Sequence, residues 1–96
     1  MKAILRSHEK FRIQDRFVVE MTLHEVNDSK RYPSRVKYGL ICVDTKTGKS
    51  ILMDNHHPKS DHIHINETEV LYEFITIEKL VEDFKKLVFE HLGVSI

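Results

Sequence analysis

Tryptophan is missing from this chain, cysteine occurs once, and charge of neither sign is in excess. Without Trp, and with only 8% aromatic residues, Leu, Ile, Val and Phe must fill the core. The lone Cys42 cannot close an internal disulfide, so nothing asks for an oxidising compartment. No window approaches the roughly 20 apolar residues of a membrane span. The opening Met1-Lys2-Ala3-Ile4-Leu5-Arg6 becomes charged too early for a signal peptide. A cytoplasmic protein without a membrane partner is the expectation. Lys plus Arg equals Asp plus Glu, giving a formal charge of zero with His neutral. Coating nucleic acid by bulk charge is thereby disfavoured, because counterion release needs many unpaired cations. A local basic cleft stays open. There is also no Gly-rich phosphate loop, Walker motif, CxxC pair or helix-turn-helix pattern, and 96 residues are too few for a dinucleotide fold.

What the chain has in excess is histidine, seven in all. Residues 1–96 are long enough for a single core and show no linker or repeat, so one domain is expected. Residues 1–14 read as a ragged first strand, with Ala3, Leu5, Phe11 and Ile13 alternating around a charged interruption at His8-Glu9-Lys10. Phe17, Val19, Met21 and Leu23 then alternate with Glu20, Thr22 and His24, the period of a strand with one wet face. Asn27 to Ser34 is a polar loop. The next strand sets Val36, Tyr38, Leu40 and Cys42 on one face, with Lys37 and Ile41 on the other. Asp44 to Lys49 reads as a hairpin turn in which Gly48 supplies positive φ, and Ser50 to Asp54 is its partner strand. After a loop broken by Pro58, His62-Ile63-His64-Ile65-Asn66 alternates strictly. Ile63 and Ile65 should face the core, and His62 and His64 should stand side by side away from it, their Cβ atoms roughly 6–7 Å apart. Val70, Tyr72 and Phe74 suit a further short strand.

The final element is a helix. Leu80, Val81, Phe84, Leu87, Val88 and Leu92 make one apolar stripe, Thr76 suits the N-cap, and Gly93 suits the stop. The expected fold is α+β: a twisted antiparallel sheet of about five or six strands, with this helix on one face and the other face open.

Asp54 to His64 concentrates four His, two Asp and a Lys. Three readings fit these residues. A solvated loop followed by a wet edge strand needs no chemistry at all. In the second reading the cluster is a metal-free acid/base site for RNA. Cleavage through the 2′-hydroxyl needs a base, an acid and a cation near the phosphate. His62 and His64 would be the acid/base pair, Lys59 the phosphate contact and Asp61 the group that orients an imidazole. Arg35 and Lys37 would help to grip phosphates. In the third reading His62 and His64 share a divalent metal, with Asp61, His56 or Asp54 completing the shell, although the spacing matches no specific metal motif. Weaker candidates have structural explanations. Cys42 and Tyr38 share the core parity, His24 stands on a wet face, and His91 complements the helix C-terminus. Arg31-Tyr32 is a basic–aromatic pair of the kind that stacks on bases.

Several stretches together resemble the small TumE-like proteins, toxins of bacterial and archaeal toxin–antitoxin pairs. They are Met1-Lys2-Ala3-Ile4-Leu5, the strand Phe17 to Val26, Lys37-Tyr38-Gly39-Leu40, Asp54-Asn55, Lys59-x-Asp61-His62-x-His64, Tyr72-Glu73-Phe74 and the helix from Ile77 to Leu92. The resemblance covers most of the chain, and the Lys59 to His64 motif is its most specific part. It implies a cytoplasmic toxin paired with an antitoxin, usually a small DNA-binding neighbour, with RNA cleavage as an activity. It carries over Asp54, Asn55, Lys59, Asp61, His62 and His64 as functional positions. His56-His57-Pro58 and Glu67-Thr68-Glu69-Val70-Leu71 depart from the pattern. The first leaves room for an added metal ligand, and the second puts the loop geometry in question. The combined expectation is an endoribonuclease toxin without a cofactor, using His62, His64, Lys59 and Asp61, with Asp54, Asn55, Arg35 and Lys37 toward the substrate. The alternatives are a binding module acting through the open sheet face, or a metal-dependent nuclease with His62, His64, Asp61 and His56 as ligands. A homodimer also fits, since an exposed sheet edge and zero net charge favour self-association.

Overall fold

The computed structural model describes residues 3–96, so the start of the first expected strand, Met1 and Lys2, lies outside the described residues. Six strands, β1 (Ala3–Ile13), β2 (Phe17–Val26), β3 (Val36–Asp44), β4 (Ser50–Asp54), β5 (His62–Ile65) and β6 (Thr68–Leu71), precede one helix, α1 (Ile77–Leu92). They form a single antiparallel sheet in the order β1-β2-β3-β4-β5-β6, an uninterrupted meander. Two of the tight hairpins follow from their turn residues. Gly48 (φ 78°) closes β3–β4, and Asn66 (φ 56°) closes the short β5–β6 turn.

One face of the sheet is the core. Phe17 and Val19 of β2, Tyr38, Leu40 and Cys42 of β3, Ile51 and Met53 of β4 and Ile63 of β5 pack with Leu80, Phe84 and Val88 of α1. The helix lies across β3 and β4. Thr76 Oγ1 accepts from the Lys79 N–H, and Gly93 (φ 73°) ends the helix by donating its N–H to the Phe89 carbonyl. Burial pushes the Cys42 thiol up to about 11, in keeping with a packing role.

Two elements differ from expectation. β1 is continuous through His8-Glu9-Lys10, but its register shifts between Leu5 and Ser7. The odd-numbered residues therefore change face: Phe11 pairs with Val19 of the core, whereas Leu5 pairs with His24 and is exposed. The last strand ends at Leu71. Beyond it, the Tyr72 hydroxyl donates to Asp83 of α1 and the Phe74 ring stacks on Tyr38 at 5.8 Å, so both side chains pin the connection to the helix.

The face away from α1 is only partly open. The loop after β2 folds back through a Tyr32 N–H to Asp28 carbonyl bond and an Arg35 N–H to Tyr32 carbonyl bond, with Arg35 at positive φ. Tyr32 is only 3% exposed, and its hydroxyl accepts from the His57 N–H at 3.2 Å. It is therefore a strut between the two long loops and unavailable for base stacking.

Candidate functional site

Antiparallel register assembles the site on the face away from the helix. His62 pairs with Asp54 of β4 on one side and Leu71 of β6 on the other, while His64 pairs with Leu52 and Glu69. Directly opposed residues share a face, so Asp54, His62, His64 and Glu69 converge. The two imidazoles meet edge to face, centroids 4.8 Å apart.

Both rings stand side by side away from the core, as the alternation predicts, but they are not equally exposed. His62 is buried, at 5% exposure, and only His64 is half-buried. His62 lines both of the clefts flanking the Pro58-Lys59 segment, so the loop after β4 folds beside its ring. Its Nδ1 lies 2.7 Å from the Ser60 carbonyl oxygen and its Nε2 lies 3.1 Å from Asp54 Oδ1. Both partners are acceptors, so the ring satisfies both when each nitrogen carries a proton.

The role expected of Asp61 is corrected. Asp61 shares the parity of Ile63 and accepts a 2.6 Å hydrogen bond from the Tyr38 hydroxyl, on the helix-covered side of the sheet. That hydroxyl is held protonated far above the ordinary tyrosine range by burial first and by Asp61 second. Asp54 is the carboxylate that holds His62. Asn55 is buried and structural: its Oδ1 accepts from the Tyr38 N–H at 2.9 Å and its Nδ2 donates to the Val36 carbonyl at 2.7 Å. It continues the β3–β4 ladder where β4 has left it.

Glu69 is the residue the sequence reading missed. Its Oε1 lies 2.8 Å from Lys59 Nζ, 3.6 Å from His64 Nε2 and 3.9 Å from His62 Nε2. The Lys59 ion pair, followed by the two nearby imidazoles, holds its carboxyl below the usual range. The signal available was the hairpin itself. A turn at Asn66-Glu67 places Glu69 opposite His64, but only once that register is fixed.

Lys59, His62 and Glu69 line an open cleft of about 520 Å³ together with Pro58, Ser60, Val70 and Leu71. His56 is exposed in the loop and borders a second hollow of about 350 Å³ that also touches Asp54 and His62. Lys37 stands on the same sheet face, two positions before Gly39, which pairs with Asp54. Arg35 lies elsewhere. It lines a hollow with Arg6, Glu25 and Ile77, so the structure does not bring it to the histidines.

Fold and site together define a small α+β domain with a histidine–carboxylate–lysine cluster at one edge of its sheet. The family model described as Toxin TumE matches residues 3–92, and the chain belongs to the TumE toxin family. It is thus a toxin component, and membership implies a cognate antitoxin as its partner. No curated protein and no solved structure shows significant similarity to the chain.

Proposed function

We propose that this toxin acts in the cytoplasm as an endoribonuclease, cleaving RNA by transesterification through the 2′-hydroxyl without a metal. The observation that carries this reading is the pair of imidazoles in edge contact, one locked by two acceptors and the other half open, with Lys59 on the adjoining carboxylate. His64 is the reachable base, taking the proton of the 2′-hydroxyl as that oxygen attacks phosphorus. His62, protonated between Ser60 and Asp54, gives its Nε2 proton to the departing 5′-oxygen. The P–O5′ bond breaks, and the products are a 2′,3′-cyclic phosphate and a free 5′-hydroxyl. Each transfer contributes roughly 10²–10⁴-fold. Lys59 swings from Glu69 to the phosphate, where its charge offsets that of the transition state. Lys37, on the same sheet face, is a further cation for a neighbouring phosphate.

The test is an oligodeoxynucleotide carrying one ribonucleotide, incubated with the purified chain in EDTA. Cleavage at that position alone, ending in a cyclic phosphate, is expected. Equal cleavage of the all-deoxy strand would contradict the reading, because that strand lacks the attacking hydroxyl.

A further inference from the structure

We propose that His62, His64 and Glu69 also form a binding site for a divalent transition metal of the zinc class. One ligand atom from each lies within 4.8 Å of the other two. Ligands bound about 2.0–2.1 Å from a tetrahedral zinc ion lie roughly 3.3–3.4 Å from one another. The spacings of 3.6 Å and 3.9 Å from Glu69 Oε1 to the two ring Nε2 atoms are within a side-chain adjustment of that geometry.

A second observation is independent of the distances. The Ser60 carbonyl takes the Nδ1 proton of His62 at 2.7 Å, so a neutral ring presents its lone pair at Nε2, on the side of Glu69 and Asp54. Backbone carbonyls fix the tautomer of metal-ligating imidazoles in this manner. Two imidazole nitrogens favour zinc, cobalt or nickel over magnesium or calcium, which prefer all-oxygen shells. Asp54 Oδ1, 3.1 Å from His62 Nε2, stands beside the triad as a further oxygen donor. Asp61 is not part of the site, being bonded to Tyr38 on the opposite face.

Lys59 is the competitor. Its ammonium sits 2.8 Å from the same Glu69 oxygen that would bind the ion, so metal entry has to displace it. Removing that charge should therefore tighten metal binding. One consequence rests on the endoribonuclease reading: an ion that takes the Nε2 lone pairs of both rings leaves neither able to carry a proton, and cleavage stops.

The experiment is titration of metal-stripped protein with Co²⁺, followed by the visible absorption of four-coordinate cobalt. A 1:1 complex is expected, at least about tenfold weaker in His64→Ala and in Glu69→Gln, tighter in Lys59→Met and unchanged in His24→Ala. Circular dichroism checks that each variant is folded. Absence of the band, or equal affinity in folded His64→Ala, would overturn the site. RNA cleavage with and without Zn²⁺ then separates the two readings. Inhibition supports the blocking role, whereas stimulation leaves the metal site standing and overturns the metal-free mechanism. Unchanged cleavage by zinc-loaded protein overturns the block alone.

Discussion

At the scale of single residues, the site is built on side chains that do no chemistry. Asn55 closes the gap between the ends of β3 and β4, using both ends of its amide on backbone groups of Val36 and Tyr38. Asn55→Ala leaves the buried Tyr38 N–H without its partner and should cost about 1–3 kcal/mol, read as a lower midpoint of urea unfolding. A midpoint equal to the parent's would show that the ladder closes without it. Arg16 and Asp44 form a second fixed pair, Nε and Nη2 donating to the two carboxylate oxygens at 2.8 and 2.7 Å. The hydrogen bond from Arg16 holds the Asp44 carboxyl well below its ordinary range. A carboxylate whose pKa is depressed by folding stabilises the protein fully above its unfolded value of about 3.9, and that contribution fades as pH falls through the folded one. Thermal melts between pH 5 and pH 2 should thus fall less steeply in Arg16→Met than in the parent, and parallel curves would refute the coupling.

Legibility at this scale divides by parity and register. His62, His64 and Lys59 were readable because they are neighbours in one short stretch. Asp61 was misread because a carboxylate adjacent in sequence to a strand histidine points to the opposite face, while Asp54, eight positions earlier, lies across the ladder. Glu69 was illegible for the same reason: its proximity comes from a hairpin register that no local pattern encodes. Burial of His62 depends on the Asn55–Asp61 loop folding back beside it, a tertiary event.

At the scale of elements, the sequence was most informative where a stop signal and a periodic face coincide. Helix α1 begins at the expected Thr76 cap and ends at Gly93, whose φ of 73° penalises any side chain. Gly93→Ala should cost roughly 1 kcal/mol, which lowers Tm by about 4–8 °C in a domain of this size. No change in Tm would mean that the last turn unwinds freely. β2, β3 and β4 were legible from alternation, since each has one face in the core. β1 was less so, because the register shift around Arg6 reverses its parity midway. β6 carries no buried residue at all, so its assignment as an edge strand comes from hydrogen bonding and not from hydrophobic pattern.

At the scale of the whole molecule, a meander with a single helix covers one sheet face, and two long loops, after β2 and after β4, connect its strands. The first, tied by Tyr32 to His57, braces the second, and the second carries Lys59 and leads into His62. The histidine pair is thereby held on β5, one strand in from the sheet edge, with an open cleft beside it, which suits a long, flexible polymer better than a small ligand that needs enclosure. Membership of the TumE toxin family supplies the biological frame of toxin and antitoxin, and the proposed chemistry rests on the cluster.

The central claim, that His64 and His62 move protons without a metal, is tested most directly by single-turnover cleavage of a fluorescent RNA in EDTA. The parent chain is compared with folded His64→Ala. The account predicts cleavage by the parent that survives chelation and falls by roughly 10²–10⁴-fold in the variant. Cleavage of equal rate in the two proteins would contradict it.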